Sequence, residues 1–429
     1  VDIVAISVLI GSFLLLLIIG VPVAFSLGLS SVATVLLIGI PLEVVAQRMV
    51  AGVDIFVLMA VPFFILAGEI MGTGGIAQRL INLSNAIVGR FRGGMAQVNV
   101  LSSMFFGGIS GSSVADTSAI GSVMIPMMKK KGYDTDYSVA VTITSSAQGV
   151  LLPPSHNMVI YSLVAGGVSI SQLFMAGILP GILLGIALMI ISYIIAVKRN
   201  YPKGEAVGFK DFLSTLFGSL LGLLTVLIVV VGVVVGFFTA TESAAVATIY
   251  AFVITFFVFR EIPFKTFKLI LIRSLKTLAI VMSMIASASA FGWLMTFLRV
   301  PDLITNALLS VSDNVIIVLL MLNIAMLCLG MIMDMGPLIL VLTPILIPVA
   351  EYFSIDPVHL GIIMMLNLSI GLISPPVGNT LYLGAAIGKI PVHKTFRVLM
   401  PFYLTMLIVL AIVTYFPQFV LFLPDLIAR

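Results

Sequence analysis

The 429-residue sequence predicts an all-α polytopic membrane protein: an inverted repeat with two re-entrant helical hairpins and two helices broken at Pro-Pro. Three observations predict it. First, the chain is 61% hydrophobic and only 9% charged, which is the composition of a chain crossing a bilayer many times. Second, Gly149-Val150-Leu151-Leu152-Pro153-Pro154-Ser155-His156-Asn157 returns 222 positions later as Gly371-Leu372-Ile373-Ser374-Pro375-Pro376-Val377-Gly378-Asn379. Third, one assignment of spans puts nearly all basic residues on one side of the membrane.

The repeat carries the most information. The same gapless offset pairs Gly108 with Gly330, Pro126 with Pro348, Asp134 with Asp356 and Gly166 with Gly388. Two consecutive prolines strip two amide donors from a helix and block its next turn. In lipid, such a break survives only where protein or a water-filled cavity satisfies the freed groups. Matching interruptions in two halves point to the binding site of a secondary transporter. A kink used only for packing needs no duplicated Gly, Pro, Pro and Asn.

Apolar periods place spans near 3–20, 22–40, 54–72, 136–165, 172–197, 211–238, 241–259, 274–298, 358–387 and 399–423. The two long ones hold the Pro-Pro breaks and read as pairs of half-helices. Two further apolar blocks, 94–128 and 315–350, have polar or glycine-rich middles around Gly107–Ser113 and Gly330–Pro337. Each reads as a hairpin that enters and leaves on one side, its irregular tip buried by protein. If the first hairpin opens to the cytoplasm, eighteen of twenty-one basic residues fall on that side; only Arg48, Arg299 and Arg429 fall outside. Both termini then come out external. Five crossings and one hairpin per half invert the second half against the first. The domains are therefore 1–198, a linker at 199–210, and 211–429. Gly75–Gly89 and Pro263–Lys276 are amphipathic and suit helices lying along the cytoplasmic interface. The chain opens at Val1 without a basic flank or cleavage site, so its first apolar stretch reads as a span and not a signal peptide.

Several function classes drop out. The net charge of +4 comes from bases in short loops between spans, so nucleic acid is not the expected partner. The lone Cys328 leaves no internal disulfide or cysteine metal cluster, and no two of the three histidines stand at i and i+4. No Gly-x-x-x-x-Gly-Lys-Ser/Thr loop is present, so ATP is not the expected energy source. An intramembrane protease built on Ser155-His156 fails on geometry, because adjacent helical residues point about 100° apart.

What collects at hairpin tips and breaks is hydroxyls, amides, free carbonyls and a few carboxylates. Those are oxygen ligands for a hard cation such as sodium, the expected coupling ion; no cofactor is expected. The expected sodium ligands are Ser110, Ser112, Asp116, Gly149, Leu152, Met331, Asp334, Gly371, Ser374 and Asn379. Carbonyls at the ends of the first half-helices carry the negative end of the helix dipole. Asn157 and Asn379 read as caps of the second half-helices, whose free N–H groups favour an anion. The expected substrate residues are Ser113, Asn157, Thr380 and Arg299; Arg299, just before the second hairpin, reads as a bidentate grip on a carboxylate or as an interface anchor. A carboxylate at membrane depth costs on the order of 3 kcal/mol, which makes Asp116 and Asp334 functional candidates. Glu242, at an outer turn, reads equally as a helix N-terminal charge or a functional group, and Glu69 as a snorkelling acid or the partner of a nearby base.

Gly108-Ile109-Ser110-Gly111-Ser112-Ser113-Val114-Ala115-Asp116, Phe238-Thr239-Ala240-Thr241-Glu242-Ser243-Ala244-Ala245 and Ser374-Pro375-Pro376-Val377-Gly378 resemble the large membrane subunit of the tripartite ATP-independent periplasmic (TRAP) transporters. The similarity runs over essentially the whole chain, and its wording is most like the sialic acid members. The resemblance implies an elevator-type, sodium-coupled carrier in the bacterial inner membrane. It implies a small membrane subunit of about four helices and a soluble periplasmic substrate-binding protein as partners. The implied cargo is a carboxylate: a dicarboxylate, sialic acid or another sugar acid. The small subunit that some members carry fused is absent from this sequence and is expected as a separate chain. A second reading, a stand-alone sodium–dicarboxylate or citrate carrier, keeps the transport and drops the partners.

Overall fold

The computed structural model describes residues 2–205 and 207–427; Val1 and Arg429, used above for the start of the chain and the charge count, lie outside them. Among the described residues the regular elements are all helical. The first half runs α1 (Ile3–Ile18), α2 (Val23–Ile38), α3 (Glu43–Val53), α4 (Ala60–Thr73) after a 3-10 turn at Phe56–Met59, and α5 (Ile76–Val88). It continues with α6 (Gly94–Ser110), α7 (Ser113–Lys130), α8 (Thr135–Ser146), α9 (His156–Val164) and α10 (Ile170–Lys198). The second half runs α11 (Phe209–Val234), α12 (Ala240–Val253), α13 (Thr266–Phe297), α14 (Val300–Val311) and α15 (Val315–Gly330). It ends with α16 (Met335–Tyr352), α17 (Pro357–Leu372), α18 (Asn379–Gly388), α19 (Phe396–Tyr415) and α20 (Pro417–Ile427). Seven helical stretches are long and apolar enough to cross a membrane by length and composition. Shorter apolar helices include α1, α2, α15 and α17.

Three expected elements change. Pro263–Lys276 is no separate surface helix: from Thr266 it forms the first turns of the 32-residue α13, because no glycine, proline or cap stands between Lys276 and the span. The stretch 399–423 is two helices, since Pro417 cannot continue α19 and instead sits at the start of α20. Val300–Val311 is a helix that hydropathy alone did not single out. Ile76–Val88 shifted by 222 falls on 298–310, so α14 is the counterpart of α5.

Packing sorts the helices into two bundles that cut across the halves of the sequence. One, here called the frame, joins α1–α4 to α11–α13. The other joins α6–α10 to α15–α20. In this inner bundle α7 of the first half packs on α18 of the second, and α16 of the second on α9 of the first. Helices α5 and α14 straddle the seam: α5 touches α6 and α11, and α14 touches α16 and α13. Arg79 ties α5 to the frame through its ion pair with Glu261, and its backbone carbonyl accepts from Ser219 Oγ at 2.9 Å.

The centre of the inner bundle is α8 and α17. Every residue of α8 from Tyr137 to Ser146 is buried, as is every residue of α17 from Val358 to Leu372. Helices buried all round carry no solvated face, so the hydroxyls on them must be satisfied locally. They are: Thr142, Thr144 and Ser146 each donate to a carbonyl of the preceding turn at 2.7–2.8 Å. The linker is pinned as well. Gly93 N–H donates to the Pro202 carbonyl at 3.1 Å, and Arg199 reaches Asp134 at 2.8 Å and Asp136 at 3.3 Å.

Candidate functional site

Both helices that lead into the Pro-Pro breaks end early. After α8 the chain tightens into a 3-10 turn at Ala147–Val150, and Pro153–Pro154 and Pro375–Pro376 are both cis. It leaves the first break extended at Ser155 (φ −122°, ψ 122°), so helical geometry resumes only at His156. The caps are therefore Ser155 and Gly378, not Asn157 and Asn379, which stand inside the first turns of α9 and α18.

Each hairpin closes over the break of its own half. The turn between α6 and α7 is Gly111-Ser112; Gly111 has φ +60° and lies so near Ser155 that a Cβ would come within 2.9 Å of its Cα. That position needs glycine for conformation and for space. Ser112 caps α7 by accepting from Ala115 N–H at 3.3 Å. In the second half the Met331 carbonyl at the end of α15 accepts from Val377 N–H at 3.1 Å. Asp334 caps α16, accepting from Met335 N–H at 2.8 Å, and the Asn379 side chain is its neighbour.

The halves then meet. Ser113 Oγ stands 2.8 Å from Ser146 Oγ at the end of α8 and 3.3 Å from Thr380 Oγ1 at the start of α18. All three side chains are buried. Ser374 Oγ donates to the Ile370 carbonyl at 2.7 Å and accepts from Tyr403 Oη at 2.5 Å. Ser145 and its repeat counterpart Asn367 each bond back to the first arm of their hairpin, at Ser103 and Asn323.

Asp116 stands out. It is wholly buried one turn into α7, near the Ser103 hydroxyl, yet neither carboxylate oxygen has a hydrogen-bond partner of ordinary geometry. Thr117 Oγ1, Gln148 Oε1 and Ser155 Oγ are likewise buried and unpartnered. Buried polar atoms are normally satisfied, so the unsatisfied Asp116 carboxylate marks a place for something that donates or carries positive charge. A carboxylate oxygen is a ligand of the kind a hard cation takes. Among the described residues no three of His, Cys, Asp and Glu gather as metal ligands.

Two cavities lie along the seam between frame and inner bundle. One, of 570 Å³, is lined by Glu69, Arg273 and Thr277 of the frame and by Ser112, Ser118 and His156 of the inner bundle. The other, of 370 Å³, is lined by Arg48, Ser289 and Trp293 of the frame and by Val164, Leu340 and Pro344 of the inner bundle. Arg273 and Trp293 stand twenty residues apart on the continuous helix α13, about 30 Å at 1.5 Å per residue. That is the thickness of a bilayer's hydrocarbon core.

Most of the expected residues are thus brought together. Ser110, Ser112, Ser113, Asp116, Gly149 and Leu152 gather at the first hairpin and break; Met331, Asp334, Gly371, Ser374, Asn379 and Thr380 gather at the second. Asn157 is buried in α9 beside them. Arg299 is not among them. It is exposed at the α13–α14 junction with φ 56°, lines neither cavity, and bonds to none of these groups. Ser146, Tyr403 and Arg273 are the residues that motif reading missed. A base on the polar face of an amphipathic stretch looks like a solvated charge until that stretch is seen to run on into a span.

The family described as tripartite ATP-independent periplasmic transporter, DctM component, matches residues 10–419. The isethionate TRAP transporter permease DctMQ of Oleidesulfovibrio alaskensis is 40% identical over 97% of this chain and 66% of its own length. The sialic acid TRAP transporter large permease SiaM of Vibrio cholerae is 38% identical over 96% of each chain. Among solved structures, the YdaH transporter of Alcanivorax borkumensis shares the fold, with a TM-score of 0.59 at 14% identity over 86% of each chain. The chain is a membrane permease and not an enzyme, and it belongs to the DctM family, the large-permease component of the tripartite ATP-independent periplasmic transporters.

Proposed function

We propose that this chain is the permease of a sodium-coupled importer in a bacterial inner membrane, its cargo a carboxylate such as sialic acid or a C4-dicarboxylate. A periplasmic binding protein delivers the cargo, and a small membrane subunit completes the frame. The helix pairs α6/α7 and α15/α16 act as re-entrant hairpins. The inner bundle moves as an elevator against the frame, with α5 and α14 as the arms between them. The observation that carries this reading is Asp116, a fully buried carboxylate without a partner beneath a hairpin tip that touches both breaks. Sodium supplies the missing charge, at a site from which it leaves when the bundle opens. Seam cavities toward both ends of α13 support alternating access. The tripartite family favours this over a stand-alone carrier.

Uptake of labelled sialic acid and succinate tests it. Proteoliposomes hold the chain, its small subunit and a panel of binding proteins, with and without an inward sodium gradient. Uptake is expected only with a loaded binding protein and sodium. Equal uptake without any binding protein restores the stand-alone reading; uptake indifferent to sodium removes the coupling.

A further inference from the structure

The frame offers one guanidinium to each seam cavity. Arg273 lines the larger and Arg48 the smaller. Among the described residues neither forms a salt bridge or a side-chain hydrogen bond. Arg48 rests over the Trp293 ring, 5.0 Å from its centroid, a contact that holds the group at the cavity without using its hydrogen-bond donors. Glu69 faces Arg273 across the larger cavity without closing to an ion pair.

Their positions are related by the repeat. The offset of 222 carries Arg48 on α3 to Ile270 on α13, one helical turn before Arg273 on the same helix. Residues three apart share a helix face. The same element, in its two copies, therefore presents an arginine to each cavity. Since Trp293 and Arg273 are separated by about a bilayer core along α13, the two charges serve opposite ends of one path.

We propose that Arg48 and Arg273 are paired anion stations on the frame: Arg48 receives the substrate's carboxylate from the outer side, and Arg273 receives it when the inner bundle has carried it across. This rests on the transport reading above. A guanidinium binds a carboxylate through two parallel N–H···O bonds, and its empty fork at each cavity is what such a ligand requires. Arg48 thus takes the role that motif reading gave to Arg299.

The test uses the complete system in proteoliposomes, with substrate-loaded binding protein outside for import and free sialic acid or succinate inside for exchange. Charge-assisted bonds of this kind correspond to about tenfold in an equilibrium constant. Arg48→Gln should cut import by about tenfold or more and leave the KM for internal substrate unchanged. Arg273→Gln should raise that internal KM by about tenfold. Arg48→Lys should recover part of the import, which a variant that merely misfolds would not. Import by Arg48→Gln equal to that of the unsubstituted chain overturns the proposal, as does an equal change on both sides with either variant. Arginines that only anchor the frame to lipid phosphates would leave both KM values alone, which also overturns it. Failure of the unsubstituted chain to carry any carboxylate overturns the transport reading and this inference together.

Discussion

Gly371 meets Gly330 backbone to backbone: a Cβ on Gly371 would lie 2.6 Å from the Gly330 Cα and carbonyl carbon. Gly149, the counterpart of Gly371, makes the same close approach in the first half, to Gly107 beside Gly330's counterpart Gly108, with a Gly149 Cβ 2.8 Å from the Gly107 Cα. In each half the first hairpin arm thus rests directly on the helix that leads into the break. Small residues allow this approach between helices in a membrane.

The two partners of one pair are not equally sensitive. A Cβ on Gly330 would meet the Gly371 Cα at 3.2 Å, which a small shift relieves. Gly371→Ala should lower stability by about 1–3 kcal/mol, the usual range for overpacking, and Gly330→Ala by less. Thermal unfolding of the purified variants checks the order. If Gly330→Ala is the more damaging, the close approach is not what fixes the spacing.

Thr380 and Ser113 couple the halves through hydroxyls 267 residues apart. Thr380→Val keeps the shape and removes one hydroxyl, while Ser113 retains Ser146. The stability loss should stay near 1 kcal/mol. Transport should fall far more, because the proposed transport reading places the cargo between the two elements this contact joins. A double-mutant cycle with Ser113→Ala on initial uptake rates measures the coupling. Additive effects would mean that the two hydroxyls act separately.

The linker gives a pH-dependent prediction. The Tyr201 ring packs tilted against Tyr133, 4.5 Å between centroids, and its hydroxyl donates to Asp134 at 2.7 Å. Burial, and then the Asp134 carboxylate, push that hydroxyl up to about 12. An unfolded tyrosine titrates near 10. The folded state therefore holds the proton more tightly, and stability present below pH ~10 is lost as pH rises toward ~12. Tyr201→Phe keeps the ring and should flatten that part of the curve, at a loss of about 1 kcal/mol at neutral pH. An unchanged slope in denaturant titrations would remove Tyr201 as its source.

The breaks, the tips and the hydroxyls around them were legible because a duplicated Gly-x-x-x-Pro-Pro signal survives in a sequence without any knowledge of packing. The two bundles were not. Hydropathy reports how long an apolar stretch is, not which neighbour its face meets, so nothing along the chain says that α7 lies on α18 and α16 on α9. Residues 399–423 have the hydropathy of one span; only Pro417 marks where it divides. Val300–Val311 becomes readable as a helix when the repeat is carried out to Ile76–Val88. Arg48 shows the same limit: one of three bases the charge count expects outside, it is set apart only by Trp293, 245 positions away, coming to lie beneath it.

The sharpest prediction concerns Asp116, because it needs no transport assay. Burying an unpaired carboxylate is expensive, and the cost is relieved by a proton or by a bound cation. If the cation is sodium, it binds the folded protein and not the unfolded chain, so it raises stability by RT ln(1 + [Na⁺]/Kd). At tenfold over Kd that is about 1.4 kcal/mol. Thermal unfolding of the unsubstituted protein should therefore shift upward with sodium and not with potassium or choline at equal ionic strength. Asp116→Asn keeps the size of the side chain and removes the charge. It should be at least as stable as the unsubstituted protein without sodium, and sodium should no longer stabilise it. Asp334→Ala should reduce the sodium shift without abolishing it, since Asp334 is solvent-accessible and already serves as the α16 cap. An Asp116→Asn protein that gains as much from sodium as its parent would mean that the ion sits elsewhere and that Asp116 is held neutral by a proton.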